Sequence, residues 1–281
     1  MSTSITPPDE IGKLYDEASR LSGIFNDGQE HLGYWYHYQE EASVAEAGHR
    51  VTRKVVDALG LRRGEHVLDA GCGVGAPGVL VARETGARVT GITISAAEVV
   101  EAERRVHAAG LVGRVRFERG DYQSIAYSDG SFDAVMAIES LLHVPDLSQV
   151  LGEFFRVLRP GGRLGLAECT RETGQHADST AQIPEQFKSN LLLTVPQWLS
   201  ALEAAGFAVE EYTQCGPRVY GMGMRYLDHA NELDEILVAD FGEETVAALK
   251  QGYRDMFGAG PRTLGYVILA ARKPAIADEA A

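Results

Sequence analysis

The chain has 281 residues, 45% of them hydrophobic and 23% charged, with a formal net charge of −14 at pH 7. That length can bury a substantial core as one elaborated domain or two small ones, and the acidic balance excludes the general basic face that a phosphate-tracking nucleic-acid binder needs. Three widely separated cysteines, Cys72, Cys169 and Cys215, form neither a disulfide framework nor a metal-ligand pair, so a reducing cytoplasm is the expected compartment.

The opening Met-Ser-Thr-Ser-Ile-Thr-Pro-Pro lacks the basic and apolar regions of a signal peptide, and no apolar run reaches membrane-spanning length. Neither export nor a membrane partner is expected. Residues 1–43 carry Tyr15, Phe25, Tyr34, Trp35, Tyr36 and Tyr38 and read as an N-terminal helical and aromatic lid. His31 and His37 bracket part of that group without acidic ligands at compatible spacing, so no metal is assigned.

From residue 44 onward, helical and strand-like patterns alternate as in a doubly wound α/β sheet. A helix is predicted over 44–59, with Val44, Val51, Val55 and Leu59 near one face. Strands follow at about 66–70, 88–94, 115–119, 133–138 and 163–169, and helices at 76–85, 96–109 and 147–157 supply the crossovers that parallel pairing requires. Together, 44–171 form the expected α/β core. Arg159-Pro-Gly-Gly162 reads as turn chemistry that ends one helix and leads into the strand carrying Glu168.

The next region, 172–263, contains a predicted helix at 196–205 and a core strand near 207–213. A final strand over Leu264–Ala271 lies in the terminal segment 264–281. About 50 residues separate these two strands, too many for a simple loop in a compact domain, so helices are expected there.

Within the core, residues 67–78 join a short buried strand to a glycine-rich turn: Val-Leu-Asp-Ala-Gly-Cys-Gly-Val-Gly-Ala-Pro-Gly. A dinucleotide site places its acidic residue some 20 positions after the glycines, whereas Asp69 directly precedes them. A carboxylate there would repel a pyrophosphate and suit a cationic ammonium or sulfonium ligand. An ordinary strand-to-helix turn is the plainer alternative.

Four segments read together resemble the class I S-adenosylmethionine-dependent methyltransferases: the glycine motif, Val89-Thr-Gly-Ile-Thr-Ile-Ser95, Gly120-Asp-Tyr122 and Phe132-Asp-Ala-Val-Met-Ala-Ile-Glu-Ser140. His31-Leu-Gly-Tyr-Trp35, Glu139-Ser-Leu-Leu-His-Val-Pro-Asp146 and Tyr266-Val-Ile-Leu-Ala-Ala-Arg-Lys273 are similar to its small-molecule branch, which includes the rebeccamycin sugar O-methyltransferase and tocopherol-type C-methyltransferases. The resemblance covers residues 10–171 well, the end of the chain moderately and 172–263 poorly. It implies a Rossmann-like sheet, mostly parallel with an antiparallel last strand, plus a helical cap.

The resemblance further implies S-adenosyl-L-methionine as cofactor, with Asp69 and the turn residues Gly71, Cys72, Gly73 and Gly75 around its methionine half. Asp121 would accept from the adenine amino group with Tyr122 beside the ring, although Asp121 could instead cap a local turn. Thr93 stands where many relatives have a ribose-binding acid, and Ile94 follows it. Glu98 would restore that function, or else be a first-turn glutamate favoured by the helix dipole. Tyr15 and Glu139 complete the expected cofactor set.

For catalysis the resemblance implicates His143 and Glu168, one as base and the other as base, acceptor or orienting group. His143 is the one histidine of the family's histidine-rich segment kept here, Leu142 standing in place of its neighbour. Trp35, Leu193, Trp198, Met222 and Met224 are the candidate acceptor-binding residues. The expected partner is a bulky, largely apolar small molecule of secondary metabolism, with no nucleic acid and with homo-oligomerisation left open. O-methylation is the preferred reaction; C-methylation, or a methyltransferase fold serving as cyclase or binding scaffold, are the alternatives.

Overall fold

The computed structural model describes residues 21–172, 191–258 and 264–275. Its helix α1 (Val44–Leu59) buries Val44, Ala47, Val51, Val55 and Leu59, whose three- and four-residue spacing makes one apolar stripe. Ser43 caps the start by accepting from the Glu46 N–H, and Gly60 ends the helix in the left-handed conformation at φ 54°.

The core continues through β1 (His66–Ala70), α2 (Ala76–Thr85), β2 (Arg88–Thr93), α3 (Ala96–Ala108), β3 (Val115–Arg119), β4 (Phe132–Ile138), α4 (Leu147–Val157) and β5 (Leu158–Arg171). After it come α5 (Val195–Ala204) and β6 (Ala208–Gln214). Cap helices α6 (Gly216–Val219), α7 (Met224–Glu232), α8 (Asp234–Phe241) and α9 (Glu243–Phe257) precede the last strand, β7 (Leu264–Arg272).

The described strands form one seven-stranded sheet in the order β3-β2-β1-β4-β5-β7-β6. β1 to β5 pair in parallel, and β7 runs antiparallel between β5 and β6. The chain therefore builds outward from β1 to β3, then returns to place β4 on the other side of β1. Such a switch point opens a crevice at the carboxyl ends of the strands.

The predicted boundaries match those observed to within a residue or two except at β5. There Arg159-Pro-Gly-Gly162 does not separate helix from strand but lies inside the strand as an irregularity, with Leu158 opposite Phe132 and Arg163 opposite Ala134. The segment after β7 satisfies its backbone: the Gly161 N–H donates to Lys273 O, and the Lys273 N–H to Gly162 O. That extra pairing keeps the glycine pair in the sheet rather than in a free turn.

Two apolar clusters cover the two faces of the sheet. One joins α1 to the cap through Val51, Val55, Trp35, Tyr226, Phe257 and Ile268; the other holds Phe154, Trp198, Leu202, Val267 and Leu269 beneath α4 and α5. Consecutive β7 residues thus alternate between clusters, as the pleat dictates. In the cap, Tyr226 lies 5.8 Å from the Trp35 ring, 5.6 Å from Tyr253 and 5.7 Å from Phe257, between ring centres. No described helix is long and apolar enough to cross a membrane.

Candidate functional site

A cleft partly open to solvent lies at the carboxyl ends of β1 to β4. Gly71, Cys72 and Gly73 line it after β1; Thr93, Ile94 and Glu98 after β2; Gly120 to Gln123 after β3; and Ile138 to Ser140 with His143 after β4. Gly28, Glu30 and His31 come over it from the N-terminal segment. Among the described residues that line it, the carboxylates are Glu30, Glu98, Asp121 and Glu139, and there is neither lysine nor arginine.

The β1 turn needs glycine for both conformation and space. Gly71 and Gly73 have φ of 80° and 49°, and a Cβ on them would lie 2.4 Å from the Ser140 Cβ and 1.8 Å from Glu30 Oε2. Two expected ligand residues occupy other places. Gly75 supports packing, since a Cβ there would lie 2.6 Å from the Phe117 ring, and it does not line the cleft. Asp69, only 2% exposed, is still part of β1 and lies behind the turn against Gly78 in the first turn of α2, where backbone N–H groups favour an anion. Burial pushes its carboxyl up to about 7 against the opposing effect of the Gly78 N–H, and Oδ2 has no hydrogen-bond partner among the described residues.

At the tip of β2, the Thr93 hydroxyl donates to Glu98 Oε2 and accepts from the Ser95 N–H at 3.1 Å. Ser95 caps α3 by accepting from the Glu98 N–H at 3.1 Å, which fixes the first turn and brings the buried Glu98 carboxylate to the strand end. The acidic group missing from the strand is thereby supplied by the next helix. At β3, Asp121 Oδ1 accepts from the Gln123 N–H at 2.8 Å, so it caps the local turn while also lining the cleft. The Tyr122 hydroxyl donates to Ser140 O at 2.8 Å.

Glu139 stands just after β4 with φ 49°, an uncommon conformation for a residue with a side chain. Its Oε1 accepts from the Leu32 N–H and the Tyr266 hydroxyl, each at 2.8 Å, and burial pushes its carboxyl up to about 7. Glu168 is buried next to it and does not line the cleft. Burial, then repulsion from Glu139, pushes its carboxyl well above the usual range, opposed by the Leu141 and Ser140 N–H groups. His143 does line the cleft, and desolvation lowers its pKa. The two expected catalytic groups are therefore unlike: one faces the open space and the other supports the loop beneath it.

The expected acceptor residues do not converge. Trp35 is fully buried, its Nε1–H donating to Ala42 O at 3.2 Å. Trp198 is 1% exposed and packs on the opposite face of the sheet, and Leu193 packs against that same cluster. Met222 is buried in the cap core, whereas Met224 is exposed. None of the five lines the cleft. Apolar content was the signal for these residues, and it reports burial more often than ligand contact. Tyr15 lies outside the described residues.

Glu30, Gln123 and Ser140 line the cleft without having been singled out. Glu30 directly precedes the His31-Leu-Gly-Tyr-Trp35 segment, and that adjacency was the available signal. His31 also lines the cleft, but burial holds its pKa down at about 4, and its ring nitrogens lie 3.0 Å from Leu32 O and 3.2 Å from Thr52 Oγ1. It is a neutral structural imidazole.

Residues 68–166 match the methyltransferase domain family. The chain is 37% identical over 269 residues to the methyltransferase GfsG of Streptomyces halstedii, covering 94% of each chain. It is 35% identical over 283 residues to 27-O-demethylrifamycin SV methyltransferase of Amycolatopsis mediterranei, covering 95% of this chain and 98% of the relative. The crystal structure of the [4+2]-cyclase SpnF is similar throughout, with a TM-score of 0.84 at 29% identity, covering 98% of this chain and 100% of that one.

Proposed function

Because the chain belongs to the class I S-adenosylmethionine-dependent methyltransferases, we propose that it methylates a hydroxyl of a bulky, largely apolar small molecule of secondary metabolism. The observation that carries this reading is the cleft itself, whose lining among the described residues holds four carboxylates and neither lysine nor arginine. Such a wall favours a cationic sulfonium and ammonium ligand and disfavours a diphosphate, whether on a dinucleotide or on an isoprenoid acceptor. The relative that acts, by its name, on 27-O-demethylrifamycin SV supports oxygen as the methylated atom.

The cleft fits S-adenosylmethionine. Gly71 and Gly73 leave the space that a Cβ would fill, Glu98 offers a buried carboxylate at the tip of β2, and Asp121 and Tyr122 stand at the β3 end. When bound, the cofactor supplies an electrophilic methyl group on sulfonium. Glu98, oriented by Thr93, would hold the ribose hydroxyls, and Asp121 and Tyr122 would hold the base. His143 accepts the acceptor's hydroxyl proton at a ring nitrogen, and its lowered pKa keeps that nitrogen unprotonated near neutral pH. Glu168 holds the loop that carries His143.

Incubation with methyl-labelled S-adenosylmethionine and a panel of hydroxylated small-molecule acceptors tests the reading, and carbon NMR distinguishes a methoxy from a C-methyl product. The expected product is a labelled methyl ether. A labelled C-methyl product would move the reaction to carbon. The similarity to SpnF over the whole chain favours cyclisation as a second reading; its product would be an unlabelled isomer of the substrate.

A further inference from the structure

The carboxylates of the cleft follow the order of the strands. Asp121 stands at β3, Glu98 at β2 and Glu139 at β4, while the motif residue Asp69 of β1 is turned away behind the glycines. A ligand lying along the strand tips, with its base beside Asp121 and its ribose beside Glu98, brings its amino-acid end to the β1 turn. At that place the carboxylate facing the cleft comes from outside the sheet.

It belongs to Glu30. Its Oε2 accepts from the Val74 N–H at 3.1 Å and lies 1.8 Å from where a Cβ on Gly73 would be; its Oε1 accepts from the Ser22 hydroxyl at 3.3 Å. A carboxylate takes several donors at once, so these bonds orient the group and remain compatible with an ammonium donor. The segment carrying it is held on both sides. Arg105 Nη1 donates to Asp27 O at 3.0 Å, the Leu32 N–H to Glu139 Oε1 at 2.8 Å and the Gly33 N–H to the Tyr226 hydroxyl at 2.6 Å.

We propose that Glu30 is the counter-ion of the cofactor's α-ammonium group, so that the N-terminal segment supplies the charge recognition that Asp69 was expected to supply. This inference rests on the S-adenosylmethionine reading above. It assigns the negative charge of the methionine subsite to a residue 44 positions away from the turn it contacts.

Two ligands separate the inference from its premise. S-adenosylhomocysteine carries the ammonium group, and 5′-methylthioadenosine has the same base, ribose and sulfur without the amino-acid end. By calorimetry, Glu30→Gln should weaken S-adenosylhomocysteine by at least about tenfold, as loss of a charge-assisted bond does, and leave 5′-methylthioadenosine binding unchanged. The retained 5′-methylthioadenosine affinity also shows that the variant is folded. Equal losses for both ligands would make Glu30 a purely structural tie, and no loss for either would remove it from recognition; each result overturns the inference while the cofactor reading stands. Failure of the wild-type protein to bind either ligand would overturn both.

Discussion

Glu168 Oε1 accepts from the Leu141 N–H at 3.2 Å, tying the end of β5 to the loop that presents His143 two residues later. Its carboxyl is buried, pushed well above the usual carboxylate range, and faces backbone rather than the cleft. We assign it the positioning of His143. Glu168→Gln keeps an oxygen for the Leu141 N–H and should retain most of the turnover, whereas Glu168→Ala should lower kcat by about tenfold or more, equivalent to roughly 1.4 kcal/mol of barrier. Equal loss in both variants would show that Glu168 itself takes the proton.

His143→Ala should lower kcat by roughly 10²–10⁴, the usual effect of a general base, with S-adenosylhomocysteine affinity retained. The base works unprotonated, so the wild-type rate should rise with pH through the lowered histidine pKa and level off above it. A pH–rate profile of the variant should lack that rising limb. A wild-type rate in His143→Ala would end the assignment.

Glu98→Ala should weaken S-adenosylhomocysteine by about 10- to 100-fold, consistent with loss of hydrogen bonds to a charged acceptor. Calorimetry with adenine in place of the nucleoside should show no such loss, because the proposed contact is with the sugar. A variant that bound both ligands like the wild type would return Glu98 to a helix-dipole role.

Asp69 contributes to the pH dependence of stability in the same direction as Glu139 and Glu168: its folded-state value is raised to about 7 from an unfolded value of about 4. Between these values the folded state holds a proton that the unfolded chain has released. The corresponding stability is therefore complete below about pH 4 and is lost as pH rises to about 7. Denaturant unfolding of the ligand-free protein should show this decline, and Asp69→Asn should make it shallower, Glu139 and Glu168 supplying the remainder. Parallel stability profiles for the two proteins would contradict the protonated, buried Asp69.

Local pattern determined a great deal. The apolar spacing of Val44, Val51, Val55 and Leu59 marks α1 because a helix repeats its buried face every three to four residues, and the alternation of helices with apolar strands specifies the parallel core. Motif spacing was also enough to bring Gly71, Gly73, Glu98, Asp121 and His143 to one cleft, since each follows a strand whose end opens on the same edge of the sheet.

Tertiary structure decided which side chains face the ligand space and which segments meet there. Asp69 lies in the signature segment yet points behind the turn, and Trp35 and Trp198, equally aromatic, are buried on opposite faces of the sheet. The bonds that close the site join Glu30 to Val74, Leu32 to Glu139 and Gly33 to Tyr226, at separations of 44, 107 and 193 residues. Periodicity and turn chemistry encode the conformation of neighbouring residues, whereas such pairings exist only after the sheet and cap have packed and buried their partners together.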